Sequence, residues 1–200
     1  MTISQESEDV QDFERRSATY ERSLSQVFFF DWIHRAALDA VPAGIRPESI
    51  LDIGCGTGRL LRKAARHWPA ARLTGVDPAE GMVKEARRLT PGTQFHVSMA
   101  ETLPLPDDSV DLVLSTVSFH HWQDQLLGVK QVARVLHPGG VFVLVDLIMP
   151  FGLQRINRHG RQVNPSIVSG MFTQAGLEVQ AQRRAMSGFL LVTVGRRAGE

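Results

Sequence analysis

The chain has 200 residues, 43% of them hydrophobic, which suits one globular domain with a substantial core and leaves little room for a second. Lysine plus arginine (22) exceeds aspartate plus glutamate (21) by 22 − 21 = 1, so the summed charge offers nothing to a nucleic acid or to a partner chosen by bulk charge. A lone Cys55 excludes an internal disulfide, no apolar run is long enough to span a bilayer, and the opening MTISQESEDVQDFERR is too polar and acidic for a signal peptide; a cytoplasmic protein with no membrane partner is expected.

Up to about Arg16 the chain reads as a polar arm. In YERSLSQVFFFDWIHRAALDAV, residues Leu24, Val27, Phe28, Trp32 and Leu38 recur at roughly helical spacing, so the segment forms a helix or two. The prolines and glycine of PAGIRPES end it, and a loop enters the next segment at Ser49. This divides the chain into an N-terminal arm with helices, residues 1–48, and a continuous unit, residues 49–200.

From Ile50 onward short apolar runs alternate with helical patterns. The runs are ILDI, RLTGV, QFHVS, VDLVLST and GVFVLVDLI; helices are expected near Arg59 to His67, Ala79 to Leu89 and Gln123 to Leu136. That alternation predicts an α/β fold, a parallel sheet with helices on both faces. After the stretch MPFGLQRINRHGRQVN, SIVSGMFTQAG reads as a helix closed by Gly176. LEVQAQRRAM and FLLVTVGR, joined around SG, then read as an antiparallel hairpin.

Chemistry concentrates in ILDIGCGTGRL, where a strand runs into Gly54, Gly56 and Gly58 before a helix. Glycines there let the backbone turn sharply and approach a ligand, although a glycine-rich strand-to-helix turn alone is a weak signal. The next strand ends in Asp77, which either accepts hydrogen bonds from ribose hydroxyls or caps the helix after Pro78. A dinucleotide fingerprint would read GxGxxG, but Arg59 stands at its third glycine and Gly58 comes one residue early.

Together ILDIGCGTG, LTGVDPAEGMV, AETLPLPDDSVDLVLSTVSFHHW and RVLHPGGVFVLVD resemble the class I S-adenosylmethionine-dependent methyltransferases, in particular the type 11 domain of ubiquinone and menaquinone biosynthesis enzymes. The resemblance is close over Ser49 to Asp146, and weak in the N-terminal arm and at Ile148 to Asn164, where that family varies for substrate. It implies a Rossmann-like seven-stranded, mainly parallel sheet with an antiparallel last strand. It further implies that Asp52, Gly54, Cys55, Gly56 and Gly58 surround the methionyl part of S-adenosyl-L-methionine, that Asp77 holds both ribose hydroxyls, and that Met82 packs beside the adenine. Pro78, Ala100, Glu101 and Ser115 complete the residues it assigns to the cofactor, and Tyr20, the only tyrosine, either closes over the cofactor or packs. Where the family's segment reads Gly-Asp-Ala-Glu, this chain has Ser98, Met99, Ala100 and Glu101, so the customary acceptor for the adenine amino group is replaced by a thioether.

The implied reaction is methyl transfer to oxygen, nitrogen or carbon of a small-molecule metabolite, with S-adenosyl-L-homocysteine as the other product. A non-catalytic sensor that binds the same cofactor is the alternative, motivated by Met99. Transfer needs proximity and alignment in a water-poor pocket, and a base only if the acceptor starts protonated. His120 and His121 are the candidates for that base or for substrate contact; the resemblance, in which a histidine often stands at the His120 position, equally implies a wall of the cofactor site, and packing is the alternative for both. A metal site is not expected, because adjacent side chains on an extended segment point to opposite faces and no further ligands are spaced nearby. Asp146 either binds substrate or caps a helix. Trp122 and Phe28 to Phe30 read as core or lid, and the cluster Arg155, Arg158, His159 and Arg161 as solvated. The N-terminal helices and Ile148 to Asn164 are expected to roof the acceptor pocket, closing on substrate or completed by a second subunit of a homodimer.

Overall fold

The computed structural model describes residues 24–148 and 163–199, with side chains from Phe29 onward. The helices and strands are α1 (Leu24–Asp39), β1 (Ser49–Ile53), α2 (Arg59–His67), β2 (Arg72–Asp77), α3 (Glu80–Leu89), β3 (Gln94–Val97), β4 (Val110–Thr116), α4 (Gln125–Val135), β5 (Leu136–Leu147), α5 (Pro165–Gln174), β6 (Leu177–Ala185) and β7 (Leu190–Arg197). Single 3-10 turns at Ala100–Thr102, Phe119–His121 and Met186–Gly188 join them. The sheet has seven strands in the order β3-β2-β1-β4-β5-β7-β6, and β7 runs antiparallel to both of its neighbours. The expected mainly parallel sheet with a reversed last strand is therefore present.

Alternation along the central strands sorts the core onto two faces. Leu112 and Leu114 of β4 and Val141, Val143 and Val145 of β5 pack with α1, α2 and α3; Val113, Phe142 and Leu144 pack with α4 and α5. Helices α2 and α3 reach the sheet through the same three-residue stripe, Leu60, Leu61 and Ala64 in one and Met82, Val83 and Ala86 in the other. Each such large apolar side chain contributes about 1.5–3 kcal/mol when fully buried. Asp124 caps α4 by accepting from the Leu127 amide; Asn164 caps α5 by accepting from the Ser166 amide, with Pro165 in its first turn.

Helix α1 departs from the expected stripe. Ile33, His34, Ala37 and Leu38 face the core, whereas Trp32 is 45% exposed. The small alanines at 36 and 37 bring the α1 backbone close to β4 and β5, and Trp32 lies off that contact line. The strand order reverses between β1 and β4, because β1 continues into β2 on one side while β4 lies on the other. Open α/β sheets bind ligands at the carboxyl ends of strands flanking such a switch point, which directs attention to the turns after Ile53 and Thr116.

Burial of His34, reinforced by the Lys63 and Arg59 charges, lowers its pKa from 6.5 to about 3. The folded chain therefore declines a proton that the unfolded chain accepts, so His34 leaves stability unchanged above about pH 6.5 and weakens folding progressively as the pH falls from there. Urea denaturation should show wild type losing roughly 2 kcal/mol more than His34→Leu between pH 7 and pH 5; equal losses would contradict this.

Candidate active site

Strand β1 ends in a tightly folded turn. The amides of Gly54 and Cys55 both donate to the Val76 carbonyl of β2, at 2.9 and 3.0 Å, and the Gly58 amide donates to the Cys55 carbonyl at 2.9 Å. Gly54, Gly56 and Gly58 all have left-handed backbones, with φ of +72°, +50° and +79°. Two of them are glycine for different reasons. A Cβ on Gly54 would come within 2.3 Å of the Ser118 Cβ, whereas one on Gly56 would meet nothing within 4 Å among the described residues. Gly54 is thus required by the neighbouring loop, and Gly56 leaves an open space in front of the turn.

Two buried carboxylates flank that space. Asp77, at the end of β2, accepts the Gly56 amide on Oδ2 at 2.9 Å and the Ala79 amide on Oδ1 at 3.0 Å. It holds the turn and the start of α3 at once, so its capping role is real. Asp52 is 2% exposed, and its Oδ1 has no hydrogen-bond partner among the described residues. Burial, together with the nearby Asp77 charge, raises its pKa to about 8. A buried carboxyl oxygen left without a partner costs about 1–3 kcal/mol, and a ligand group with N–H donors or positive charge removes that cost.

The remaining expected cofactor residues surround this centre unevenly. Met82 and Ala100 are buried and Pro78 is exposed at the lip. Glu101 accepts the Asp124 amide at 3.0 Å, which fixes the segment before α4. Met99 is half-buried with its Sδ 3.5 Å from the Gln123 Nε2, a neighbour not anticipated from the sequence. Cys55 and Ser115 sit behind the turn. The Cys55 amide is spent on Val76, its thiol lies against Gly75, and burial with the Asp77 and Asp52 charges pushes its pKa up, so it is a packing group and no nucleophile. Ser115 is fully buried; its hydroxyl bonds that of Ser118 at 2.8 Å, and Ser118 in turn donates to the Ile53 carbonyl at 3.0 Å. Tyr20 and the cluster Arg155, Arg158, His159 and Arg161 lie outside the described residues.

Across the switch point, Val117 has φ of +52°, a strained value for a β-branched residue, and its amide is pinned to the Val145 carbonyl at 2.8 Å. The chain then forms the 3-10 turn Phe119–His121. This corrects the extended geometry expected for the paired histidines: in a helical turn consecutive side chains diverge by far less than 180°, and the two imidazole centroids lie 4.0 Å apart. Phe119 and Trp122 anchor the turn in the core, with ring centroids 5.0 Å apart, and Trp122 fills the space that a Cβ on Gly128 of α4 would take. Trp122 is core; the half-buried Phe29 and Phe30 pack at the margin of the α1 side. Asp146, fully buried on β5, accepts from the His120 amide at 3.0 Å and pairs with its Nδ1 at 2.7 Å. That partnership spans 26 residues and was not among the roles expected for Asp146. The described residues contain no group of three or more His, Cys, Asp or Glu able to hold a metal, and no helix among them is long and apolar enough to cross a membrane.

This strand order is a fold shared with solved S-adenosylmethionine-dependent methyltransferases. Residues 51–144, just under half of the chain, match the family described as a methyltransferase domain. Demethylmenaquinone methyltransferase of Chlorobaculum parvum is 35% identical over 107 residues, covering 54% of this chain and 44% of the relative. Malonyl-[acyl-carrier protein] O-methyltransferase of Methylococcus capsulatus is 31% identical over 181 residues, covering 79% and 66%. A chain of the complex that contains the Haloferax volcanii Trm112 methyltransferase activator superposes with a TM-score of 0.79 at 22% identity, over 93% of this chain and 97% of that one, and so shares the fold. The chain spans 44% and 66% of the lengths of these two curated relatives.

The contrast between the two glycines gives a direct check on the turn. Gly54→Ala should cost about 2–4 kcal/mol in urea denaturation, from the collision with Ser118 added to the left-handed backbone. Gly56→Ala should cost only about 1–2 kcal/mol, from backbone alone. Equal costs would mean that the close approach of Ser118 is not what requires Gly54.

Proposed function

We propose that the chain transfers a methyl group from S-adenosyl-L-methionine to oxygen, nitrogen or carbon of a small-molecule acceptor, with S-adenosyl-L-homocysteine as the other product. The observation that carries this reading is the Asp52 oxygen, buried beside a glycine turn that is open at Gly56. A ligand bearing both an ammonium group and a sulfonium satisfies such an acid, and the open turn accommodates its chain.

In this reading Asp52, Gly54, Gly56 and Gly58 hold the methionyl part, Asp77 and Pro78 the ribose, and Met82, Ala100 and Glu101 the adenine side. Cys55 and Ser115 support the turn from behind. Bound there, the cofactor supplies an electrophilic methyl group. The protein's task is then to hold the acceptor close and in line while excluding water, with His120 and His121 placed at the acceptor side. Tyr20, the rest of residues 1–48 and the segment from Ile148 to Asn164 are assigned to the cover, which a second copy of the chain in a homodimer completes. A small acceptor is supported by the near-zero net charge, and biosynthetic methylation by the names of the relatives. A cytoplasmic setting without membrane or nucleic-acid partner belongs to the same reading.

Calorimetry with S-adenosyl-L-methionine and S-adenosyl-L-homocysteine tests it. Both should bind wild type, and Asp77→Asn should weaken both about 10- to 100-fold, the worth of one or two lost hydrogen bonds to a charged acceptor. Absence of binding by either ligand would overturn the function, and unchanged affinity in Asp77→Asn would overturn the ribose assignment.

A further inference from the structure

The pairing of His120 with Asp146 narrows the acceptor class, and this inference rests on the methyl-transfer reading above. Asp146 is fully buried at the end of β5 and accepts three N–H groups: the His120 amide, the Leu147 amide at 2.6 Å and the His120 Nδ1. The bond from the His120 amide, with Phe119 and Trp122 buried beneath, already anchors the turn, and the Leu147 amide holds the carboxylate from its own strand. The third bond acts on the ring. A carboxylate can only accept there, so Nδ1 carries the imidazole proton and Nε2 carries the lone pair. The His120 side chain is 17% exposed while Asp146 is 0%, so Asp146 holds the ring from the core and part of the side chain stays accessible.

A base with fixed tautomer and orientation serves an acceptor that arrives protonated; a carboxylate or a free amine is nucleophilic without one. We propose that His120 is the general base for a hydroxyl acceptor and that Asp146 is its positioning residue. The acceptor oxygen bonds to the methyl carbon as the carbon–sulfur bond breaks and leaves its electron pair on sulfur. The hydroxyl proton passes to Nε2 and from there to solvent, so the products are a methyl ether, a neutral thioether and one proton.

Three measurements on the full chain test this. Nitrogen-15 NMR of the imidazoles should show the Nδ1–H tautomer for His120 in wild type and a mixture of tautomers in Asp146→Asn. Incubation of a metabolite extract with methyl-labelled S-adenosyl-L-methionine should yield a labelled methyl ether. Incorporation should fall about a hundredfold or more in His120→Ala and His120→Gln, with partial recovery of His120→Ala by added imidazole, which a merely structural histidine would not show. S-adenosyl-L-homocysteine affinity should stay within about twofold in all variants, as these residues act on the acceptor. A labelled methyl ester or methylamine, wild-type incorporation in both His120 variants, or an Nε2–H tautomer in wild type would each overturn the proposal. Failure of wild type to bind S-adenosyl-L-homocysteine would instead overturn the cofactor reading, with the tautomer still judged by NMR.

Discussion

Two acidic side chains, Asp52 and Asp77, lie buried at or near the ends of adjacent parallel strands with one glycine turn between them, and much of the site follows from that placement. Asp77 is satisfied by the protein, because it grips the Gly56 amide and the Ala79 amide. Asp52 is not, and its raised pKa reports the cost of burying a carboxyl near a second charge. Sheets of this topology bring strand ends together at a switch point and shield them with helices on both faces. A low-dielectric site able to prefer a cation is thereby built from two residues of ordinary type.

The surrounding structure serves to hold that arrangement rigid. Ser118 fills the space beside Gly54 and ties the β4 loop to the end of β1 through the Ile53 carbonyl. Val117 and the left-handed glycines Gly54, Gly56 and Gly58 lie at this end of the sheet, and at the opposite end Asp111 accepts both amides of Glu48 and Ser49. On the far side of the switch point Asp146 does for His120 what Asp77 does for the glycine turn. A buried acid at a strand end fixes a neighbouring loop and sets what that loop can do.

Much of this was legible in the sequence where the determinants are local. The stripes of RLLRKAARH and EGMVKEARRL set α2 and α3 nearly to the residue, and alternating runs of valine, isoleucine and leucine marked the doubly covered strands. Failures came where distant contacts decide. Trp32 fits a helical stripe by spacing, yet the sheet receives Ile33 and the alanines beside it. The two histidines were expected on opposite faces because the segment reads as the end of a strand; strain at Val117 ends that strand and coils the next three residues. The pairing of His120 with Asp146 joins positions 26 apart, one in the turn after β4 and the other on β5, and no local pattern encodes it. Nor does the motif around Gly54 reveal that Ser118 is the reason for the first glycine.

The central claim is that Asp52 waits, largely protonated, for a cationic ligand. Calorimetry at pH 7 in buffers of different ionisation enthalpy measures it directly, by counting protons exchanged on binding. With a free-state pKa of about 8, capture of S-adenosyl-L-methionine should ionise Asp52 and release about one proton, and Asp52→Asn should release none. Binding by wild type with no proton release, or equal release by both proteins, would contradict the account.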